Sequence, residues 1–165
     1  MSGCLDNVRC DCGIDWAEKR NAVASVVSGM LFFTGWWLAI DTSVFYTHYY
    51  SAGYWNFAFL IPGIVGSVAM FMVNAVSNSQ VRGESMTDGM LGTRGARMWL
   101  LLGFVLSFGS LIAAIWIMIS EYVVDPDKYV RDGSPWPGVA LFLQNFLIFV
   151  GSVVYKFGRT EDLWS

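Results

Sequence analysis

Charge is scarce in this chain, and four long stretches of the sequence have none. Only 14% of the 165 residues are Asp, Glu, Lys or Arg, whereas 55% are hydrophobic. A helix needs about 20 mainly apolar residues to cross the hydrocarbon core of a bilayer. The stretches are therefore typical of an integral membrane protein and exclude most classes of soluble enzyme. They comprise residues 21–40, 42–81, 98–120 and 133–155.

Residues that bind metals or act as nucleophiles are also few. The chain has one histidine, His48, and its three cysteines, Cys4, Cys10 and Cys12, all lie near the N-terminus. A structural zinc site takes four ligands, and the sequence contains no nucleophile–base spacing and no phosphate-binding loop. We therefore expect no enzymatic activity, no cofactor, no metal and no nucleic-acid partner. The cysteines are interpreted as reduced thiols, with acylation as the alternative.

The charge-free stretches predict one domain with four transmembrane helices. The longest stretch begins with a part rich in Tyr, Trp, Ser and His, which favours the end of one helix and a loop before the next. The predicted fold is an all-α membrane protein, an up-down bundle of four transmembrane helices. Its spans are 22–42, 57–77, 98–120 and 137–155, with an N-terminal segment, 1–21, and a tail, 156–165.

Positive charges predict the orientation of these spans. Eight of the ten Lys and Arg residues lie in the N-terminal segment, the middle loop and the tail, which share one side of a four-span protein. The other two, Lys128 and Arg131, lie in the loop between the third and fourth spans. An excess of Lys and Arg marks the cytoplasmic side. We predict that the N- and C-termini are both cytosolic.

Aromatic residues cluster near the predicted ends of the spans. Examples are Trp55 and Tyr122 beside the outer loops and Trp99 near the inner face. Amphipathic rings prefer the level of the lipid headgroups. We interpret most of these rings as anchors at the interface rather than as parts of a binding site.

Small and polar residues recur at helical spacing in every predicted span. Lipid provides no hydrophobic drive for helix association, which depends on close approach and interhelical hydrogen bonds. Gln144 and the adjacent Asn145 point about 100° apart on a helix, so only one of them faces a given seam. We therefore favour a packing role for these amides over a narrow polar path. The residues predicted to pack between helices are Ser28, Gly35, Gly63, Ser67, Asn74, Gly103, Ser107, Ser110, Gly138, Asn145 and Ser152.

Four segments of the chain together resemble the transmembrane protein 50 family. They are spread over nearly the whole sequence and keep their order. One departure is the spacing Cys10-Asp11-Cys12, where the family is associated with Cys-x-x-Cys. The segments are IDWAEKRN at 14–21, LFFTGWW at 31–37, NAVSNSQVRG at 74–83 and KFGRTEDLW at 156–164.

The resemblance implies a small four-span protein of the endoplasmic reticulum, the Golgi and endosomes. The family includes a fungal vacuolar protein sorting protein, which works with a second four-span protein related to the leptin receptor overlapping transcript product. The resemblance therefore implies a role in protein transport from late endosomes to the lysosome or vacuole. It implies no enzymatic activity. The expected partners are membrane lipids and a small multi-span protein of that second family, with a larger membrane complex also possible.

The leading functional hypothesis is a non-enzymatic trafficking or assembly subunit. The alternatives are a small channel, a transporter or a lipid-handling protein that acts as an oligomer, and an accessory subunit of a larger membrane complex. Two strips outside the spans are candidates for contact with a partner, and the second ends in Trp, a residue type common in binding hot spots. These candidate contacts are Gln80, Arg82, Gly83, Arg159, Glu161, Asp162, Leu163 and Trp164.

Overall fold

The computed structural model describes residues 16–50, 55–83, 92–124 and 134–159. Within these ranges the chain forms helices and no strand. A 3₁₀ turn, Phe57–Leu60, leads into the second helix, and a π-helical turn, Ser120–Val124, continues the fourth. The α-helices are α1 (Trp16–Tyr50), α2 (Ile61–Ala75), α3 (Asn78–Arg82), α4 (Gly92–Ile119) and α5 (Trp136–Gly158).

Four helical segments in the described part of the chain are long and apolar enough to cross a membrane. They have mean hydropathies between 1.7 and 2.4. This confirms the predicted all-α class with four membrane-crossing helices. The segments are Lys19–His48, Phe57–Ala75, Gly92–Val124 and Trp136–Gly158.

The first helix extends beyond both predicted ends of its span. It starts at Trp16, inside the predicted N-terminal segment, and continues to Tyr50 instead of ending near residue 42. The sequence has neither Gly nor Pro from 36 to 52, so no residue of the helix-breaking types interrupts it there. Polar residues in this part are accommodated: Thr42 is buried, and the Ser43 hydroxyl donates to the Ile40 carbonyl at 2.9 Å.

The last helix, α5, is the centre of the bundle. It contacts α1, α2 and α4, whereas α1 packs mainly along α5. The α2 and α4 helices also pack against each other. In α5, 44% of the membrane-crossing window is buried, compared with 22% to 28% in the other three segments. The helix that comes last in the sequence therefore provides the surface on which the other three assemble.

Basic side chains join the helix ends at one end of the bundle, which we call the basic end. Arg20, near the start of α1, donates from Nε to the Gly158 carbonyl at 3.0 Å. Arg97, in the first part of α4, donates from Nε to the Val81 carbonyl at 3.0 Å. Cations near the carbonyl-bearing end of a helix complement the helix dipole. These contacts bring the starts of α1 and α4 beside the ends of α3 and α5, as an up-down arrangement requires.

Lys156 lies in α5 and is buried, whereas the sequence placed it in a tail. Only 8% of the residue is exposed, and Nζ donates to the carbonyl of Val76. Val76 follows the last residue of α2 and has an extended backbone, so its carbonyl points away from the helix ladder and accepts this bond. The α5 helix continues for three residues beyond the predicted span, as far as Gly158, so the predicted tail begins within the helix.

Aromatic residues form a packed cluster at the opposite end, which we call the aromatic end. Trp55 and Tyr122 are 4% and 2% exposed and pack with Leu141. A Cβ at Gly138 would lie 2.8 Å from Tyr122 Cδ2, so the ring sits directly on the backbone of α5. Trp55 and Tyr122 are therefore exceptions to the interpretation of most aromatic residues as interface anchors. Both rings fill space between helices, and this depends on contacts distant in sequence.

Glycine in α4 permits close contact with α2, and an added methyl group should weaken it. A Cβ at Gly103 would lie 2.8 Å from Val73 Cγ2 and 3.2 Å from the Val73 amide nitrogen. We expect Gly103→Ala to lower the free energy of unfolding by about 1–3 kcal/mol through overpacking. The measurement is thermal unfolding of the protein in mild detergent.

The matched control is Gly109→Ala in the same helix. A Cβ there meets nothing within 4 Å. Alanine is the better helix former, so Gly109→Ala should keep or raise the unfolding temperature. Equal destabilisation by the two substitutions would contradict the proposed α2–α4 contact.

Candidate functional site

The central helix presents two adjacent stripes to different neighbours. Gln144, Gly151 and Gly158 repeat every seven residues, and their backbone abuts α1, while the Gln144 side chain reaches Gly63 of α2. The second stripe, shifted by one residue, meets the other side of the bundle. It consists of Gly138, Asn145 and Ser152.

The seam between α1 and α5 depends on backbone contact. A Cβ at Gly35 would lie 3.0 Å from the Gln144 carbonyl oxygen, and one at Gly151 would lie 3.2 Å from the Ser28 carbonyl oxygen. The Ser28 hydroxyl is buried and donates to the Gly151 carbonyl at 2.8 Å. Small residues in both helices therefore allow the approach and one hydroxyl adds an interhelical bond, the two features typical of helix pairs in lipid.

The second stripe meets α2 and α4 through polar side chains. A Cβ at Gly66 would lie 3.1 Å from Ser110 Oγ and 3.6 Å from Asn145 Oδ1, which places both polar groups against the backbone of α2. Nearer the basic end, Asn74 Nδ2 donates to Ser152 Oγ at 3.3 Å. The seam therefore contains a line of polar groups along otherwise apolar helices.

Gln144 is fully buried in the described part of the chain, and both polar atoms of its side chain lack hydrogen-bond partners. The residue is 0% exposed, and its carboxamide lies against the backbone at Gly63. Neither Nε2 nor Oε1 has a hydrogen-bond partner. An unsatisfied buried polar group costs about 1–3 kcal/mol, so this residue lowers the stability of the isolated bundle.

An open groove separates α1 from α2 towards the basic end; we call it the α1–α2 groove. The two helices are joined by a hydrogen bond from Trp36 Nε1 to Ser67 Oγ at 3.0 Å. Beyond this bond the groove has a volume of about 410 Å³. Small, polar and aromatic side chains line it together. They are Ser25, Ser28, Gly29, Phe32, Ser67, Met70, Phe71, Asn74, Ala75 and Tyr155.

The residues predicted to pack between helices divide into two groups. All of them are buried except Ser67 and Asn74, which are half-buried and line the α1–α2 groove. In α2 the buried face instead comprises Pro62, Gly63, Gly66, Ala69 and Val73. Spacing alone does not separate a polar residue that faces a groove from one that faces a helix, because the two faces of α2 are adjacent.

Two of the candidate partner contacts have local structural roles. The Gln80 side chain accepts from the Ser77 amide and the Ser77 side chain accepts from the Gln80 amide, which together form a capping box. Gly83 ends α3 with φ of 80°, a left-handed conformation that favours glycine. Both residues therefore stabilise α3 whether or not they bind a partner.

The two basic candidates are exposed at the basic end. Arg82 is the last residue of α3. Arg159 follows α5, and its Nη1 donates to the Tyr155 hydroxyl at 2.8 Å while its guanidinium lies over the same ring. The remaining candidates, and the cysteines considered for acylation, lie outside the described residues. They are Glu161, Asp162, Leu163, Trp164, Cys4, Cys10 and Cys12.

The described residues contain no group of three or more His, Cys, Asp and Glu side chains that could hold a metal ion.

The features that sequence reasoning missed are interhelical ones: the Trp36–Ser67 bond, the burial of Lys156 and the stripe through Gln144, Gly151 and Gly158. A signal for that stripe was present, since its members recur every seven residues beside the stripe that was predicted.

Comparison with known proteins supports the family suggested by the sequence. A family model described as "Uncharacterised protein family (UPF0220)" matches residues 4–164. The "Transmembrane protein 50 homolog" of Dictyostelium discoideum is 33% identical over 144 residues, covering 82% of this chain and 90% of that protein. No solved structure matches the chain.

Replacing the unsatisfied Gln144 should stabilise the isolated protein. Leucine has a similar size and needs no hydrogen bond, so we expect Gln144→Leu to raise the free energy of unfolding by about 1 kcal/mol or more. The measurement is thermal unfolding in detergent. As a comparison, Ser28→Ala removes the bond to Gly151 and should lower stability by about 0.6 kcal/mol. A clear loss of stability in Gln144→Leu would mean that the carboxamide is bonded in the native protein.

Proposed function

Because the chain belongs to the transmembrane protein 50 family (UPF0220), we propose that it is a non-enzymatic subunit of a membrane-trafficking complex. The complex acts in protein transport from late endosomes to the lysosome or vacuole. The second component is another small multi-span protein, of the leptin receptor overlapping transcript family. The protein resides in membranes of the endoplasmic reticulum, Golgi and endosomes. The resemblance to the family supports these assignments.

The observation that carries this proposal is the α1–α2 groove. Its walls combine small residues, such as Ser25 and Gly29, with the polar side chains of Ser67 and Asn74. Close backbone approach and interhelical hydrogen bonds drive helix association in lipid. The exposed Ser25 hydroxyl donates to the Asn21 carbonyl, and its oxygen can still accept a hydrogen bond. A lipid chain has no donor for it, whereas a transmembrane helix of a partner protein has side chains that do. The groove therefore suits a helix of the partner.

The burial of the two amides in the middle of the bundle argues against an open pore through one copy of the chain. It favours the role of an assembly subunit. Gln144 and Asn145 are 0% and 2% exposed. Gln144 is covered by Gly35 of α1 and Gly63 of α2, and Asn145 lies near Gly66. Side chains that line a water-filled path need exposed surface, and these two are enclosed by neighbouring helices.

The basic end is proposed to face the cytosol, with the N- and C-termini on that side. Lys19, Arg20, Arg82, Arg94 and Arg97 are exposed on the segments that meet there. The cytoplasmic side of membrane proteins carries the excess of Lys and Arg. In this orientation Arg82, Arg159 and the residues 161–164 that follow form the proposed cytosolic contact with the partner.

Filling the α1–α2 groove should prevent partner binding without disturbing the bundle. A Cβ at Gly29 meets nothing within 4 Å, although the residue lines the groove. We expect Gly29→Phe to reduce recovery of the partner by about tenfold, because overpacking an interface typically costs about 1–3 kcal/mol. The measurement is quantitative co-purification from cells in mild detergent.

The control is Gly109→Phe in α4, where a Cβ also meets nothing within 4 Å and the residue is exposed. This variant should recover the partner as the unchanged protein does. Thermal unfolding of each purified variant checks that the bundle is intact. If both variants recover equal amounts of partner, the groove is not the docking site.

The orientation can be tested with glycan acceptors, because the sequence has no Asn-x-Ser/Thr of its own. An acceptor placed within residues 51–54 should be glycosylated, and one within residues 84–91 should not. The measurement is the endoglycosidase-sensitive shift in mass on a gel. The reverse pattern would place the basic end in the lumen.

A further inference from the structure

A second groove lies at the basic end, between the start of α1 and the end of α5, and we call it the α1–α5 groove. Its volume is about 610 Å³, and none of its lining residues lines the α1–α2 groove. We propose that it binds one anionic phospholipid from the adjacent leaflet. The lining residues are Lys19, Arg20, Val23, Ala24, Val27, Val154 and Gly158.

The inner part of the groove is apolar. Val23 and Val27 are 60% and 38% exposed, so their side chains form an accessible wall. A Cβ at Gly158 would lie 2.6 Å from Ala24 Cβ, so the two helices touch there and form the base of the groove. A surface of methyl groups beside a helix contact suits a hydrocarbon chain and offers a soluble anion nothing to bind.

The outer part of the groove is cationic. Lys19 and Arg20 are both exposed. The Arg20 guanidinium is held in place because Nε and Nη2 donate to the carbonyls of Gly158 and Phe157 at 3.0 and 3.1 Å. A guanidinium has more donors than these two bonds use. It also offsets the negative end of the α5 dipole, which would otherwise repel a phosphate.

The order of charge and apolar surface matches that of an anionic lipid. From Lys19 to Val27 the groove follows α1 for about 12 Å at the usual helical rise. A phosphate at Lys19 and Arg20 therefore places the start of an acyl chain against Val23 and Val27. The basic end is the one proposed to face the cytosol, and the cytoplasmic leaflet carries the anionic lipids that attract Lys and Arg.

The test is native mass spectrometry of the full-length protein, delipidated in mild detergent and titrated with phosphatidylserine or phosphatidylcholine of identical acyl chains. We expect one phosphatidylserine to bind in preference to phosphatidylcholine. Lys19→Gln should weaken phosphatidylserine binding about fivefold, the usual effect of one basic residue near an anionic lipid. Arg94→Gln removes another exposed cation at the same end, outside the groove, and should have no effect.

A second pair of variants tests the apolar part of the groove. Val27→Trp should occlude the groove and abolish the bound phosphatidylserine. Val105→Trp, on the exposed face of α4, should leave lipid binding unchanged. Equal binding of the two lipids, or equal losses in Lys19→Gln and Arg94→Gln, would overturn the proposal. The measurement uses the isolated protein, so its outcome is independent of whether a trafficking partner docks in the α1–α2 groove.

Discussion

The close approach of other helices to α5 is the constraint on which the rest of the bundle depends. Gly35 in α1 and Gly63 in α2 both abut Gln144. Lipid gives helices no hydrophobic reason to associate, so the contact must come from dense packing and hydrogen bonds. Since α1 contacts mainly α5, its position depends chiefly on this seam. That arrangement leaves the sides of α1 available, and both proposed binding grooves border it.

Polar groups inside the bundle have different energetic roles. Ser28 and Asn74 form bonds between helices, which stabilise the assembly modestly. Gln144 forms none and should reduce the stability of the protein. The bundle is therefore less stable than one with the same packing and an apolar residue at position 144.

The segments that carry the family resemblance meet one another in the structure. Arg20 of the first segment binds carbonyls at the end of α5, and Lys156 of the last binds the carbonyl of Val76 in the third. The segment at residues 31–37 contains Gly35 and Trp36, which contact α5 and α2. These motifs therefore define how the helices join. Several motif residues also line the proposed binding grooves, among them Lys19, Arg20, Phe32 and Asn74.

The sequence by itself determined the number and type of the long helices, because apolar length and missing charge are local properties of a segment. It also predicted that small residues such as Gly103 and Ser110 pack between helices, and both are buried. Only the tertiary structure decided that α5 is central, that Lys156 and Trp55 are buried, and that Ser67 and Asn74 face a groove. These features depend on which helix faces meet. Residues far apart in the sequence set that choice, so no local pattern encodes it.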